Sequence, residues 1–568
     1  MKKFVKYVAL VCVALGMASC VQDLNTKPID KNSVTGFNQD ALFTKIYATL
    51  ATTGQKGPSD SPDVSGADEG VSGFYRVMWE LNEFPTDEGW WVWADAGVGE
   101  ARTMDWNGDN ALVKMLYDRF IIVIKYCNHF LEYASADGDG AYQIAEVRFI
   151  RALNYWYMLD MFLYAPFQDK ESFDYPEFID RPTLYAWLET ELKDLTTALP
   201  PTRLQLYRVD QTAAWLLLAR LRLNAEVYTG TAQWSGARDA AIQAINSGYE
   251  LHTDSVITPG DKTRFSGYQM LFMGDNDKNG AQKEAVLLVY QDGNYCQSYC
   301  GAQFCIAATR TGGMTPWGCS ANWTCFRSSP EMVYKFFPNQ SIAQNTKANE
   351  YEMPVLVKDD RAILCSAYQK KTWKLEGGAA NGSSAFMDCW ACPKFNAVYS
   401  TVDSIQRVLG SHSEWADTDI PFMRIAEAYL IAGEAEARIA GVEGGGSVTA
   451  GLTYINKLRA RANATPFASL DETTLCDEWC REFWGEGRRR TDLIRFGRFA
   501  GPKADTHNYH WEGRAGASTF KTGVPEHINW FPIPSDDKRV NPNFKKQVLD
   551  NTANPYANQG GDGYTYAQ

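Results

Sequence analysis

Leu184, Trp187, Leu188, Leu192, Leu195 and Leu199 recur at helical spacing, between Pro182 at the start and Pro200-Pro201 at the end. That pattern predicts a helix over 184–199. Val147 to Leu163 is apolar nearly all round, the mark of a helix buried between neighbours. Thr212 to Tyr228 is rich in Ala and Leu, with Arg220 and Arg222 expected outside. Ile425 to Ala440 carries Ala426, Ala428, Ala432, Ala435 and Ala437, small residues that let neighbouring helices approach closely. Further helices are expected at about 39–52, 110–134, 236–247, 447–462, 471–485 and 488–497. The middle of the chain breaks the pattern. Residues 250–415 hold many Gly, Cys, Trp and Asn and one strand-like run, Ala285 to Tyr290, and residues 500–568 are rich in Gly, Asn and Pro.

Helix, short loop, helix is the arrangement of stacked helical hairpins such as tetratricopeptide repeats, where each pair buries its face against the next. No clean 34-residue consensus is visible, so any repeats are degenerate. The predicted fold is mainly α: a tetratricopeptide-like helical hairpin platform at about 38–250 and 416–500, with a long irregular, loop-rich insertion at about 251–415. With an irregular C-terminal segment, 501–568, these form a single domain from residue 38 to 568. Irregular insertions on rigid scaffolds tend to carry function.

The first twenty residues are not part of the fold. Lys2, Lys3 and Lys6 precede a short apolar stretch, Tyr7 to Leu15, and then Gly16, Met17, Ala18, Ser19 and Cys20. This is a signal peptide in shape, and too short to span a bilayer. Ala18-Ser19-Cys20 resembles a bacterial lipobox, with Met17 where Leu is commoner; the alternative is an ordinary secretory signal that contains a Cys. The expectation is a leader over 1–19, lipidation at Cys20, and a flexible leash over 20–37. No later segment has about 18 consecutive uncharged apolar residues, so the membrane is reached through the acyl anchor alone.

Composition narrows the function. A formal charge of −13 over 568 residues argues against nucleic acid as a partner, because binding phosphates needs clustered Lys and Arg. Eighteen Trp and 29 Tyr are many for this length; such side chains usually fill cores, but part of the excess can serve as stacking surface for ligands. Of thirteen Cys, five lie between Cys296 and Cys325; they read as small buried apolar residues with one or two disulfides among them, and Cys389 and Cys392 form a C-x-x-C without the second pair that zinc requires.

Several short motifs occur in order. Ala145-Glu146-Val147-Arg148-Phe149-Ile150-Arg151-Ala152-Leu153 leads to Tyr164-Ala165-Pro166. Asp194-Leu195 to Leu199-Pro200, Thr212-Ala213-Ala214 and Leu218-Ala219-Arg220-Leu221 follow. Then come Arg424-Ile425-Ala426-Glu427-Ala428-Tyr429-Leu430 and Ile455-Asn456-Lys457-Leu458-Arg459-Ala460-Arg461-Ala462. Last are Glu482 to Glu486-Gly487-Arg488-Arg489-Arg490-Thr491-Asp492-Leu493, Phe531-Pro532-Ile533-Pro534 and Asn541-Pro542-Asn543. In this order, after a lipobox, they resemble the SusD/RagB family of Bacteroidetes outer-membrane nutrient-binding lipoproteins. Tyr164-Ala165 stands where Tyr-Gly is common, and the usual C-terminal Gln-Asn-Pro-Gly-Tyr is replaced by a tail through Gly563-Tyr564. The resemblance implies surface capture of oligosaccharides, or of peptides in one branch, as the cap of a SusC-like TonB-dependent transporter, without catalysis.

The candidate ligand contacts lie in non-helical sequence. Thr86-Asp87-Glu88-Gly89-Trp90-Trp91-Val92-Trp93 sets three indoles beside two carboxylates. Sugar rings stack their C–H faces on Trp while carboxylates accept from their hydroxyls. The competing reading is that these indoles fill a core, although three so close together cannot easily share one buried face. Trp106 and Asn107, before the next helix, are carried over from the resemblance. Asn294-Tyr295, Trp317 and Trp323 lie where the family presents aromatic residues from its inserted loops. The expected site is therefore Asp87, Trp90, Trp91, Trp93, Trp106, Asn107, Tyr295, Trp317 and Trp323. Asp275-x-Asp277-x-Asn279-Gly280 looks like the start of a calcium loop, but Val286 occupies the position of the bidentate Glu, so a polar turn is the better reading. The Arg488–Arg490 run reads as a salt-bridged helix start. No metal motif, G-x-S-x-G or P-loop is present, so no cofactor is expected; a glycoside hydrolase with two carboxylates stays open.

Overall fold

The structure is a computed structural model. It describes residues 36–565 apart from 56, 59–60, 369–385, 387–388, 406–413, 508 and 515–521. The leader, Cys20 and nearly all of the leash lie outside the described residues.

The helices stack in chain order. Helices α1 (Gln39–Ala48) and α2 (Phe74–Glu83) precede a series of long ones: α3 (Ala111–Tyr133), α4 (Gly140–Met161), α5 (Arg181–Ala198), α6 (Gln211–Leu223) and α7 (Trp234–Ile245). After the insertion come α8 (Ile425–Ile439), α9 (Leu452–Arg461), α10 (Glu472–Phe483) and α11 (Arg489–Arg495). From α3 to α6 each long helix packs on the next, then α6 on α7, α7 on α8 and α8 on α9, so the chain after the insertion rejoins the stack. Their starts follow capping chemistry. Asn110, Asp180, Asp210 and Asp471 accept from backbone N–H groups of the first turn, and Pro182 sits where its missing N–H costs nothing.

Helix α2 is absent from the pattern-based prediction. Every residue of it is buried, including Arg76, Glu80, Asn82 and Glu83; its apolar face is opposed by a polar stripe, Arg76, Glu80 and Glu83, that is buried rather than solvated. Arg220 was expected outside and is instead buried, paired through two 2.6 Å contacts to Glu427 with its guanidinium over Trp156. The next helices close over it from both sides, and Glu427 neutralises what they bury. Arg222 does keep a rim position on Glu189.

The insertion holds short helices, among them Ala302–Ala308 and Pro330–Phe336. It is tied down twice by strands. Ala285–Val289 pairs antiparallel with Ile420–Arg424, closing the insertion at its base. Gly89–Trp91 pairs with Phe326–Ser328, which draws the Trp-rich segment onto the insertion. Gly89 tolerates no side chain there, since a Cβ would lie 2.1 Å from the Phe326 ring.

Buried ion pairs lock the same junction. Arg424 reaches Glu284, Glu482 and Glu486, and Arg461 reaches Glu284 and Glu482, all essentially without solvent. Arg488 pairs with Glu427 and Asp492, and Arg490 lies 3.5 Å from Asp160, so the arginine run is structural. The expected disulfides do not form: Cys296, Cys300, Cys305, Cys319 and Cys325 are free thiols. Each faces a different neighbour, Cys300 against Gly73 and Cys305 against Tyr75, and burial pushes both thiols up to about 12. They behave as small apolar side chains.

Candidate ligand-binding cleft

Strand Gly89–Trp91 alternates its side chains, and both of its faces are covered. Trp91 is fully buried between Phe84 and Phe304, with its Nε1 donating to Asp95 (2.9 Å). Trp90 is buried on the other side, with Arg327 4.1 Å above its ring. Two residues past Trp91 the strand has ended, and Trp93 emerges half-buried at the rim, edge-on to Trp91 at 5.9 Å.

Trp323 reaches the same rim from the insertion. Its N–H donates to the Ala307 carbonyl at 2.6 Å, and the next two N–H groups donate to Arg310 and Ala308. Thr324 takes a left-handed φ of 58° to make this turn. The end of helix Ala302–Ala308 thus holds Trp323 by backbone alone. Tyr299 stands beside it, 5.8 Å away and tilted by 54°, and rests on buried Trp415. Beneath them lies Arg76 of α2, whose guanidinium is 5.4 Å from Trp323 and 4.8 Å from Phe304 and is held by Glu80 at 2.9 Å. Glu414 borders the cleft and accepts from the Tyr299 hydroxyl at 3.4 Å. Together with Gly70, Ser320, Ala321 and Asn322, these residues line an open cleft of about 470 Å³.

Of the residues expected to bind, Trp93 and Trp323 line this cleft and the others do not. Asp87 is fully buried, gripped by Arg489 at 2.7 and 2.9 Å and by Lys335 at 2.8 Å. Burial alone would raise its pKa, but these two cations hold the carboxyl well below the usual range. Trp106 is buried because the unusual tail closes on it: its Nε1 donates to the Tyr564 hydroxyl at 2.7 Å. Asn107 is exposed but borders a separate cleft beside Ser535 and Lys538. Tyr295 is 87% exposed on a turn held by Asp292, away from the cleft lining. Trp317 braces the loop from behind, donating to Ala321 at 3.0 Å and lying over Arg310. Arg76, Tyr299, Asn322 and Glu414 were missed. Arg76 sits in the unpredicted helix, whereas the aromatic insertion already pointed towards Tyr299.

Nothing in the cleft resembles a metal centre, and among the described residues no group of three His, Cys, Asp or Glu could hold an ion. Asp275 is occupied by Ser400 and Asn279.

Residues 283–549 match the family model described as the SusD family. The starch-binding protein SusD of Bacteroides thetaiotaomicron is 36% identical over 95% of this chain and 97% of its own. The chain belongs to the SusD family. Solved structures share the fold at low identity. A SusD-like carbohydrate-binding protein from Bacteroides fragilis superposes with a TM-score of 0.60 at 16% identity, covering 89% of this chain and 98% of its own. A laminarin-binding SusD-like protein gives 0.59 at 17%, covering 88% and 96%. The SusD-family assignment and the mainly helical fold agree with the sequence reading.

Proposed function

We propose that this protein captures oligosaccharides at the cell surface, with α-glucans of the starch type as its ligands, and passes them to a SusC-like TonB-dependent transporter. The observation that carries the reading is the set of inclined rings. Tyr299 and Trp323 are tilted by 54° and share one cleft with Trp93. Inclined rings suit a coiled glucan, whereas coplanar rings suit a flat one. Asn322 and Glu414 add a polar border for sugar hydroxyls, and the starch-binding relative supports the same ligand class. Binding proceeds without hydrolysis: among the described residues Glu414 is the one carboxylate lining the cleft, and glycosidases work with an opposed pair.

Calorimetry with α-1,4- and β-1,3-linked oligosaccharides of equal length tests this. The α-linked ligand is expected to bind more tightly and to be recovered at its original length. Equal or tighter β-glucan binding, or shortened products, would overturn it.

The anchor belongs to the same proposal. Among the described residues no helix is long and apolar enough to cross a membrane. Cys20→Ala is expected to shed the protein from membranes, whereas the wild type should co-purify in mild detergent with a barrel transporter. Full retention of the variant would remove Cys20 as the anchor.

A further inference from the structure

A larger open cleft of about 1080 Å³ is lined by Asp261 to Arg264, Gly313 to Pro316, Tyr351 and Tyr368. One segment contributes to both clefts. It leaves Arg310, walls the larger cleft with Gly313 to Pro316, and then borders the aromatic cleft with Ser320 to Trp323. Arg310 is the common post: it pairs with Glu350 at 2.5 Å, donates to the Pro393 and Phe395 carbonyls, and underlies Trp317.

The charged groups of the larger cleft are mostly engaged within the protein. Asp261 accepts from Thr258, Thr263, Ser404 and Ile405. Arg264 is held by both oxygens of Asp360 at 2.8 and 3.0 Å. Lys262, Lys347 and Glu352 stand exposed on the lining, and between them the surface is aromatic, aliphatic and neutral polar. Tyr368 is 42% exposed, with Val355 and Leu356 more so. Asn349 uses its Oδ1 on the N–H groups of Tyr351 and Glu352, which leaves its amide NH₂ available. Tyr351 lines the cleft, is 9% exposed, and its hydroxyl has no hydrogen-bond partner among the described residues. A buried hydroxyl without a partner is unfavourable unless something supplies one.

We propose that this cleft is a second saccharide site, taking a neutral glucan segment stacked on Tyr368 and hydrogen-bonded by Asn349. The inference rests on the saccharide reading of the aromatic cleft. Because one loop contributes to both clefts, a polymer long enough to reach around it can occupy both sites, and the second contact is then made at high effective concentration. Short ligands gain little from such an arrangement; polymers gain much.

The test uses the full mature chain with maltoheptaose and amylopectin. In a Trp93→Ala/Trp323→Ala variant, saturation-transfer NMR is expected to retain maltoheptaose signals, and adding Tyr368→Ala and Asn349→Ala should abolish them. In the wild-type background, Tyr368→Ala alone should weaken amylopectin binding by about tenfold or more. Loss of all transfer in the Trp variant, together with unchanged amylopectin binding by Tyr368→Ala, would overturn the proposal. If the Trp variant binds like wild type while Tyr368→Ala does not, the aromatic-cleft reading falls and the second site stands. If wild type binds neither sugar, both fall.

Discussion

Trp323→Ala should weaken oligosaccharide binding about thirtyfold while leaving the fold intact. Stacking anchors at interfaces cost about 2 kcal/mol when truncated, which is that factor in affinity. The fold survives because the Trp323 backbone, not its ring, makes the contacts to Ala307 and its neighbours. Trp91→Ala gives the contrast. That indole is fully buried against Phe84 and Phe304, so its removal should cost about 3–5 kcal/mol of stability. Calorimetry alongside thermal unfolding separates the two. If Trp323→Ala binds like wild type, the cleft is not the site. Ionic strength should matter little for a neutral sugar, so strong salt dependence would indicate a charged ligand instead.

Asp87→Ala should be among the most destabilising single changes, by about 3–5 kcal/mol, because it leaves two cations buried without their partner. Arg489 is wholly buried and Lys335 nearly so, and neither has bulk water to turn to. That loss is a large share of the roughly 5–15 kcal/mol typical of a folded domain. The pH dependence has a definite sign. The folded pKa of Asp87 lies below its unfolded value, so its stabilisation is complete above the unfolded value. It is lost only as the pH falls through the depressed folded value. Next to it, Glu83 and Glu88 run the other way. Burial raises both carboxyls, with Glu88 adding to the shift of Glu83, so their contribution is present at low pH and lost as the pH rises through the folded values. Chemical denaturation across pH should therefore show Glu88→Gln flattening the fall in stability that sets in as the pH rises above the ordinary carboxylate range, and Asp87→Asn removing stability near neutrality. An Asp87→Asn variant as stable as wild type at pH 7 would refute the assigned role.

The helices were legible because their signals are local. The Leu184–Leu199 spacing and the Ala series of α8 state which face is buried, and the observed ends, Arg181–Ala198 and Ile425–Ile439, lie within a few residues of the expected ones. Helix α2 carries the same kind of signal, with Arg76, Glu80 and Glu83 on one face, but only over ten residues, and its polar stripe is buried where such a stripe ordinarily meets solvent. Arg220 failed similarly, since a guanidinium is expected outside unless a partner is known, and Glu427 lies far along the chain.

The family and the aromatic supply of the site were present in the sequence, as ordered motifs and as clustered Trp and Tyr. Which of those rings face solvent was not. Trp90, Trp91 and Trp93 are chemically alike, and only the pairing of Gly89–Trp91 with Phe326–Ser328 buries the first two and leaves the third at the rim. Asp87 looked like a ligand acceptor until folding brought Arg489, remote in sequence, to it. Trp106 was closed off by a tail residue, Tyr564. Sequence by itself determined the helices, because their signals depend on neighbours a few positions apart, and the family, through the order of its motifs. Tertiary structure decided the site, because exposure is set by whichever distant segment packs on top.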